Sequence, residues 1–120
     1  MTDKLEKVHP VLVAAFSSVK DIVPFKIFAI EGARSPERQK MLVWAGKSKT
    51  LHSKHLIQPD GFCHALDIGI IIDGKANWEH KNFLILANAV KSISDKVDWG
   101  GECFGSRFID ADHFQLRENK

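Results

Sequence analysis

Apolar residues recur at helical spacing through Leu5, Val8, Leu12, Ala15, Phe16 and Val19, and Pro10, which lacks an amide donor, fits only a first turn. The pattern predicts a first helix beginning near Pro10. Phe25-Lys-Ile-Phe-Ala-Ile-Glu31 is aromatic and β-branched between Pro24 and Gly32, which suits a buried strand and leaves Arg34 just beyond its end. Ser35-Pro36-Glu37 reads as an N-cap followed by a first-turn proline, and Gly46 as a stop, so a second helix is predicted near residues 36–45. From Lys47 to Cys63 the chain is polar and carries the turn signal Pro59-Asp60-Gly61, which predicts a long ordered loop of the kind that often holds functional groups. Ala65-Leu-Asp-Ile-Gly-Ile-Ile-Ile72 reads as a strand and Asp73-Gly74 as a tight turn, after which Asn77 can cap a helix running to about Ser94. Val97-Asp-Trp99 and His113-Phe-Gln-Leu116 complete the pattern as short strands. This order predicts an α+β fold with a small, mainly antiparallel sheet packed with about three helices.

Composition narrows the picture. A chain of 120 residues with 44% apolar content fills one compact core, so a single domain over residues 1–120 is expected. Seventeen Lys and Arg face fifteen Asp and Glu, mixed along the chain, which argues against an electrostatically driven nucleic-acid binder. The only cysteines, Cys63 and Cys103, form no metal-binding or disulfide pattern. Met-Thr-Asp-Lys-Leu-Glu-Lys at the start lacks the apolar core of a secretory signal, so cytoplasmic synthesis is expected. The apolar stretch Phe83-Leu-Ile-Leu-Ala-Asn-Ala-Val90 is far short of the ~20 residues that span a bilayer, and no membrane insertion is expected.

The chemistry concentrates in histidines and aspartates. His113 follows Asp110 by three residues, and Ser53-Lys-His55 and His64-Ala-Leu-Asp67 lie upstream. Two imidazoles and a carboxylate from separated segments suit a catalytic zinc with one position left for water, and a further carboxylate can serve as base. A hydrogen-bonded histidine beside the core is the ordinary alternative for His55 and His113 alike. Asp67 weighs against it, because a carboxylate in an apolar strand is costly without a cation or strong donor nearby. His64 competes with His55, although residues three apart on a strand point to opposite faces, so His64 shares a metal with Asp67 only if the strand begins after it. His9, His52 and His80 read as surface or supporting residues. Trp44, Trp78 and Trp99 are expected in core or rim packing. Gly46-Lys-Ser48 lacks the first glycine of a phosphate-binding loop, since position 41 is Met41.

Taken together, Gly32-Ala-Arg-Ser-Pro-Glu-Arg-Gln39, Gly46-Lys-Ser-Lys-Thr50, Ser53-Lys-His55, His64-Ala-Leu-Asp67, Trp99-Gly-Gly101 and Phe108-x-Asp-x-x-His-Phe-Gln-Leu116 fall in the order seen in D-Ala-D-Ala carboxypeptidase-like zinc peptidases. The resemblance covers roughly residues 25–117 and is nearest to the phage L-alanyl-D-glutamate endopeptidases, the peptidoglycan-cutting endolysins. It implies Zn²⁺ held by His55, Asp67 and His113 at the sheet face, Asp110 as catalytic base, and Arg34 lining the site and sharing the developing oxyanion charge. Ser53 is a candidate substrate-binding or supporting hydroxyl beside His55. The chain departs from the family's Ser-x-His-x-x-Gly-x-Ala-x-Asp pattern, with five extra residues between His55 and Asp67 and Cys63 at the glycine position, which reads as a loop insertion. The implied activity is cleavage of the L-Ala-D-Glu bond of peptidoglycan stem peptides by a monomeric lysis enzyme without a wall-binding module, reaching the wall after membrane permeabilisation. A D-Ala-D-Ala carboxypeptidase or dipeptidase, or a non-catalytic zinc-stabilised wall-binding or virion protein, are the alternatives.

Overall fold

Alternation along one strand divides the structure into a core side and a site side. A computed structural model describes residues 4–46, 53–100 and 111–117. In chain order its elements are α1 (Pro10–Val19), β1 (Lys26–Glu31), α2 (Pro36–Trp44), β2 (Ala65–Ile72), β3 (Lys75–Asn77), α3 (His80–Ile93), β4 (Val97–Trp99) and β5 (His113–Leu116). The sheet runs β1-β2-β5-β4 with β3 also paired to β2, and every pairing is antiparallel. β2 is therefore central: β1 takes one edge, while β5 and β3 share the other, β5 along Ala65–Asp67 and β3 along Ile70–Ile72.

Because side chains alternate across a strand, Leu66, Ile68 and Ile70 turn to one face and Ala65, Asp67 and Gly69 to the other. The first face is the core. Leu66, Ile68 and Ile70 pack there with Leu12, Ala15 and Val19 of α1 and Phe83, Leu86 and Val90 of α3, joined by Val97, Trp99 and Phe114 from the neighbouring strands. Trp99 is buried with its indole N–H donated to Ala111 O at 2.7 Å, which satisfies the one polar atom that a tryptophan brings inside. No helix among the described residues is long and apolar enough to cross a membrane.

Local chemistry accounts for most element boundaries. Pro10 stands in the first turn of α1, where its missing N–H is harmless, and His9 caps the helix by accepting the Val11 N–H at Nδ1, 3.1 Å away. Ser35 caps α2 through Oγ and the Arg38 N–H. The expected helix from Asn77 begins later, at His80. Asp73 (φ 54°) and Gly74 (φ 77°) are both left-handed, the geometry of a two-residue hairpin turn, so Lys75–Asn77 returns along β2 as β3 before α3 starts. Asn77 still serves the helix, its Oδ1 accepting from the Glu79 N–H and the Asn82 side chain.

Trp44 departs from the expected packing, whereas Trp78 meets it at the rim. Trp44 is 93% exposed at the end of α2, since that helix buries only Gln39, and it belongs neither to the core nor to its rim. Trp78 is largely exposed and stacks on Phe83 with ring centroids 6.0 Å apart.

Gly32, just after β1, lies against the N-terminal segment so closely that a Cβ would collide with the Lys4 carbonyl and approach the Val8 Cγ2 to 2.5 Å. Backbone cannot give way as a flexible side chain can. Gly32→Ala is expected to destabilise the fold by about 1–3 kcal/mol, the usual cost of overpacking, read as a lower urea midpoint at unchanged slope.

Candidate metal centre

Asp67 sits on the site face of β2, and its two cross-strand partners are Glu31 and His113. His113 is brought there by the antiparallel register, which also sets Gln115 opposite Ala65 and sends Phe114 to the core. Glu31 is brought there by a bulge: the register shifts between Ala29 and Glu31, so Ile30 is skipped and an acid takes the place opposite Asp67. His55 arrives from the loop before β2. Its backbone N–H donates to Ser53 Oγ at 3.1 Å, its carbonyl accepts the Arg34 N–H at 2.8 Å, and its ring is 3% exposed.

The three side chains converge on one point. His55 Nε2 is 3.2 Å and His113 Nδ1 3.1 Å from the same oxygen, Asp67 Oδ1, and the two rings meet edge to face at 5.2 Å. Each ring's other nitrogen is engaged as a donor. His55 Nδ1–H donates to the Gly32 carbonyl at 2.8 Å, and His113 Nε2–H donates to Gln115 Oε1 at 2.9 Å. In the neutral rings this leaves the lone-pair nitrogens facing a carboxylate oxygen, three acceptors turned on one another. Such a set is electrostatically complete only with positive charge among the three. Two imidazole nitrogens and a carboxylate, held by partners on their far sides, are the donor set and outer support of a transition-metal site. Burial pushes the Asp67 carboxyl up, but hydrogen bonds and positive charge from His113 and His55, when those rings carry protons toward it, outweigh burial and hold it well below the ordinary carboxylate range; a metal cation in place of those protons favours the ionised carboxylate in the same sense.

His64 does not join this centre. β2 begins at Ala65, yet the His64 carbonyl already accepts the Leu116 N–H, so His64 continues the extended chain and its ring bonds Asp60 Oδ2 at 2.7 Å instead. The loop with the extra residues closes on itself, Ile57 bridging Cys63 and the Gln58 N–H reaching Phe62 O, which lets His55 keep its place.

Arg34 is tied to the centre through Glu31. Its Nε–H donates to Glu31 Oε1 and its Nη1 to Gln39 Oε1 at 2.7 Å, while Arg38 holds Glu31 from outside at 3.2 Å. Burial raises the Glu31 carboxyl, but the hydrogen bonds and charges of Arg34 and Arg38 bring it below its ordinary value. Ser53 accepts the His55 N–H and its carbonyl accepts the Leu56 N–H, which makes it the corner of the loop that carries His55. Asp110 lies outside the described residues, as do His52 and Cys103. Sequence reasoning missed Gln115, Gly32, Glu31 and Gln39. Only Gln115 left a signal, standing two residues from His113 and so on the same strand face.

A model of the phage L-alanyl-D-glutamate peptidase family matches residues 1–116. The chain belongs to that family. The crystal structure of the Serratia marcescens L-Ala D-Glu endopeptidase ChiX has the same fold, with a TM-score of 0.83 at 34% identity over 95% of this chain and 84% of that one. No curated protein matches the chain. The resemblance carried by the sequence motifs is thus borne out, and the α+β fold with it.

Two outcomes follow from this geometry. Replacing His55, Asp67 or His113 by Ala should weaken tight transition-metal binding by more than about a hundredfold, beyond the usual effect of an outer partner, while His64→Ala leaves it within a few-fold, as read by competition with a chromophoric chelator. Glu31 binds protons less readily folded than unfolded, so its stabilisation is fully present above the unfolded value near ~4.3 and lost as pH falls through the depressed folded one. Urea denaturation from pH 6 to about 3 should therefore show a steeper loss of stability in the wild type than in Glu31→Gln.

Proposed function

We propose that this peptidase of the phage L-alanyl-D-glutamate family is a zinc enzyme that cuts the L-Ala-D-Glu bond of peptidoglycan stem peptides, with His55, Asp67 and His113 as the zinc ligands. The observation that carries the reading is the convergence of His55 Nε2 and His113 Nδ1 on Asp67 Oδ1, with each ring's other nitrogen bonded to a carbonyl oxygen. Their N/O chemistry and small number suit zinc with an open position better than calcium or magnesium, which take six or more oxygens or a largely hydrated shell. When bound, the ion supplies Lewis acidity to the scissile carbonyl and brings a water within reach of deprotonation near neutral pH.

The chain's own residues do the rest. Gly32 and Gln115 keep the ligand rings in the tautomer that binds metal. Asp110, three residues before His113, takes the proton of the attacking water and returns it to the departing D-Glu nitrogen. Arg34 offsets the charge that builds on the carbonyl oxygen. Support for that role is its position: its backbone N–H donates to the His55 carbonyl, and its guanidinium, 11% exposed, is held by Glu31, the residue opposite Asp67. Ser53 shapes the substrate side of the His55 loop. Residues 1–120 act as one catalytic domain and as a monomer, synthesised in the host cytoplasm and reaching the wall once the membrane is permeabilised.

Mass spectrometry of digested muropeptides tests the assignment. L-Ala should remain on the glycan and a new D-Glu amine appear, with the products lost in a chelator and restored by zinc. Release of free D-Ala alone would make the protein a carboxypeptidase. Asp110→Ala should keep its zinc while losing ~10² to 10⁴ in turnover, the usual contribution of a positioned base; near-normal turnover would remove Asp110 from the mechanism.

A further inference from the structure

A second set of donors lies where the loop between His55 and Asp67 meets the start of α1, away from the buried centre. His9, Asp60 and His64 each offer a ligand atom, all within 4.8 Å of one another. His64 Nε2 is 2.7 Å and His9 Nε2 3.8 Å from Asp60 Oδ2, and the two rings stand edge to face at 5.3 Å. These separations bracket the spacing of roughly 3.3 Å between donors that each lie about 2.0–2.1 Å from a tetrahedral zinc. The scaffold beneath them is built. The Asp60 Oδ1 accepts the Phe62 N–H at 3.0 Å, Gly61 (φ 88°) closes the turn, and Cys63 pairs with the N-terminal segment on both sides, its N–H to Lys7 O and its carbonyl to the His9 N–H.

We propose that His9, Asp60 and His64 form a second transition-metal site, in which the inserted hairpin is clamped to the start of α1. Two imidazoles select a zinc-like or nickel-like ion over calcium or magnesium. The site is weaker than the buried centre, for stated reasons. Its side chains are a quarter to two-fifths exposed, and Lys54, Lys96 and Arg117 line the adjoining cleft of about 780 Å³, so water and neighbouring cations both oppose the ion. His9 also has a competing task. Its Nδ1 accepts the Val11 N–H, which places the proton on Nε2. Binding a metal at Nε2 moves that proton to Nδ1 and releases the Val11 N–H, exchanging one helix cap for a metal bond. Occupancy therefore has a signature at a residue that is not itself a ligand.

Zinc titration of protein already carrying one equivalent tests the site, followed by calorimetry and by the Val11 amide signal in NMR spectra. A second equivalent should bind and shift the Val11 amide. Asp60→Asn, His64→Ala and His9→Asn should each weaken that step by at least about tenfold while leaving the first within about twofold, losing a ligand being worth at least what losing an outer partner is. His9→Asn is the informative variant, since Asn caps helices as well as any residue and so removes the ligand without removing the cap. His113→Ala should show the reverse, losing the first equivalent and keeping the second, which separates this site from the proposed catalytic one. The proposal is overturned if the wild type binds one equivalent only, if the second equivalent survives all three substitutions, or if it binds without moving the Val11 amide.

Discussion

A carboxylate set in the middle of a sheet, with only 16% of its side chain exposed, is the constraint from which the site is built. Asp67 lies on the central strand, and an ionised group there must be met by donors or cations or not be tolerated. β5 brings His113 to its Oδ1 by register and the preceding loop brings His55, while the acid that the β1 bulge sets opposite, Glu31, is held by Arg34 and Arg38. A slip of one residue between β2 and β5 would set Phe114 beside Asp67 and send His113 into the core. The apolar alternation that makes the fold and the polar convergence that makes the site are therefore one register, seen from the two faces of the sheet.

The outer supports make that arrangement rigid at small cost in residues. The Gly32 carbonyl receives the His55 ring, and the absence of a Cβ at Gly32 lets the N-terminal segment lie against the same turn. One glycine thus links the chain's beginning to a candidate ligand. Glu31 plays a comparable part on the other side: it stands opposite Asp67 and holds Arg34, which Gln39 then fixes from α2. No buried side-chain nitrogen or oxygen among the described residues lacks a hydrogen-bond partner, as a site built from so many polar groups requires if it is not to destabilise its own core.

The loop between His55 and Asp67 closes on itself. Ile57 bridges Cys63 and the Gln58 N–H reaches Phe62 O, so the hairpin's ends stay paired and His55 is fixed at its base. What the hairpin changes is its own surroundings, where Asp60 and His64 meet His9 at the entrance to α1.

The amino-acid sequence by itself determined the strands and most of the helix boundaries, because period, proline and glycine act over a few residues. β2, β4 and β5 run as their alternation predicts, and Pro10 and Pro36 open their helices. It also carried the ligand candidates, since an aspartate inside an apolar strand and a histidine three residues after another aspartate are local anomalies. Other features were decided only in three dimensions. The hairpin that delays α3 depends on β3 finding an edge of β2, and Trp44 stands in water because α2 turns only Gln39 inward. His55 and not His64 meets Asp67 because the extended chain already includes His64, the one condition that the three-residue spacing had left open. Gln115 and Gly32 became visible as supports for the same reason: a hydrogen bond across the sheet or between distant loops has no period along the chain.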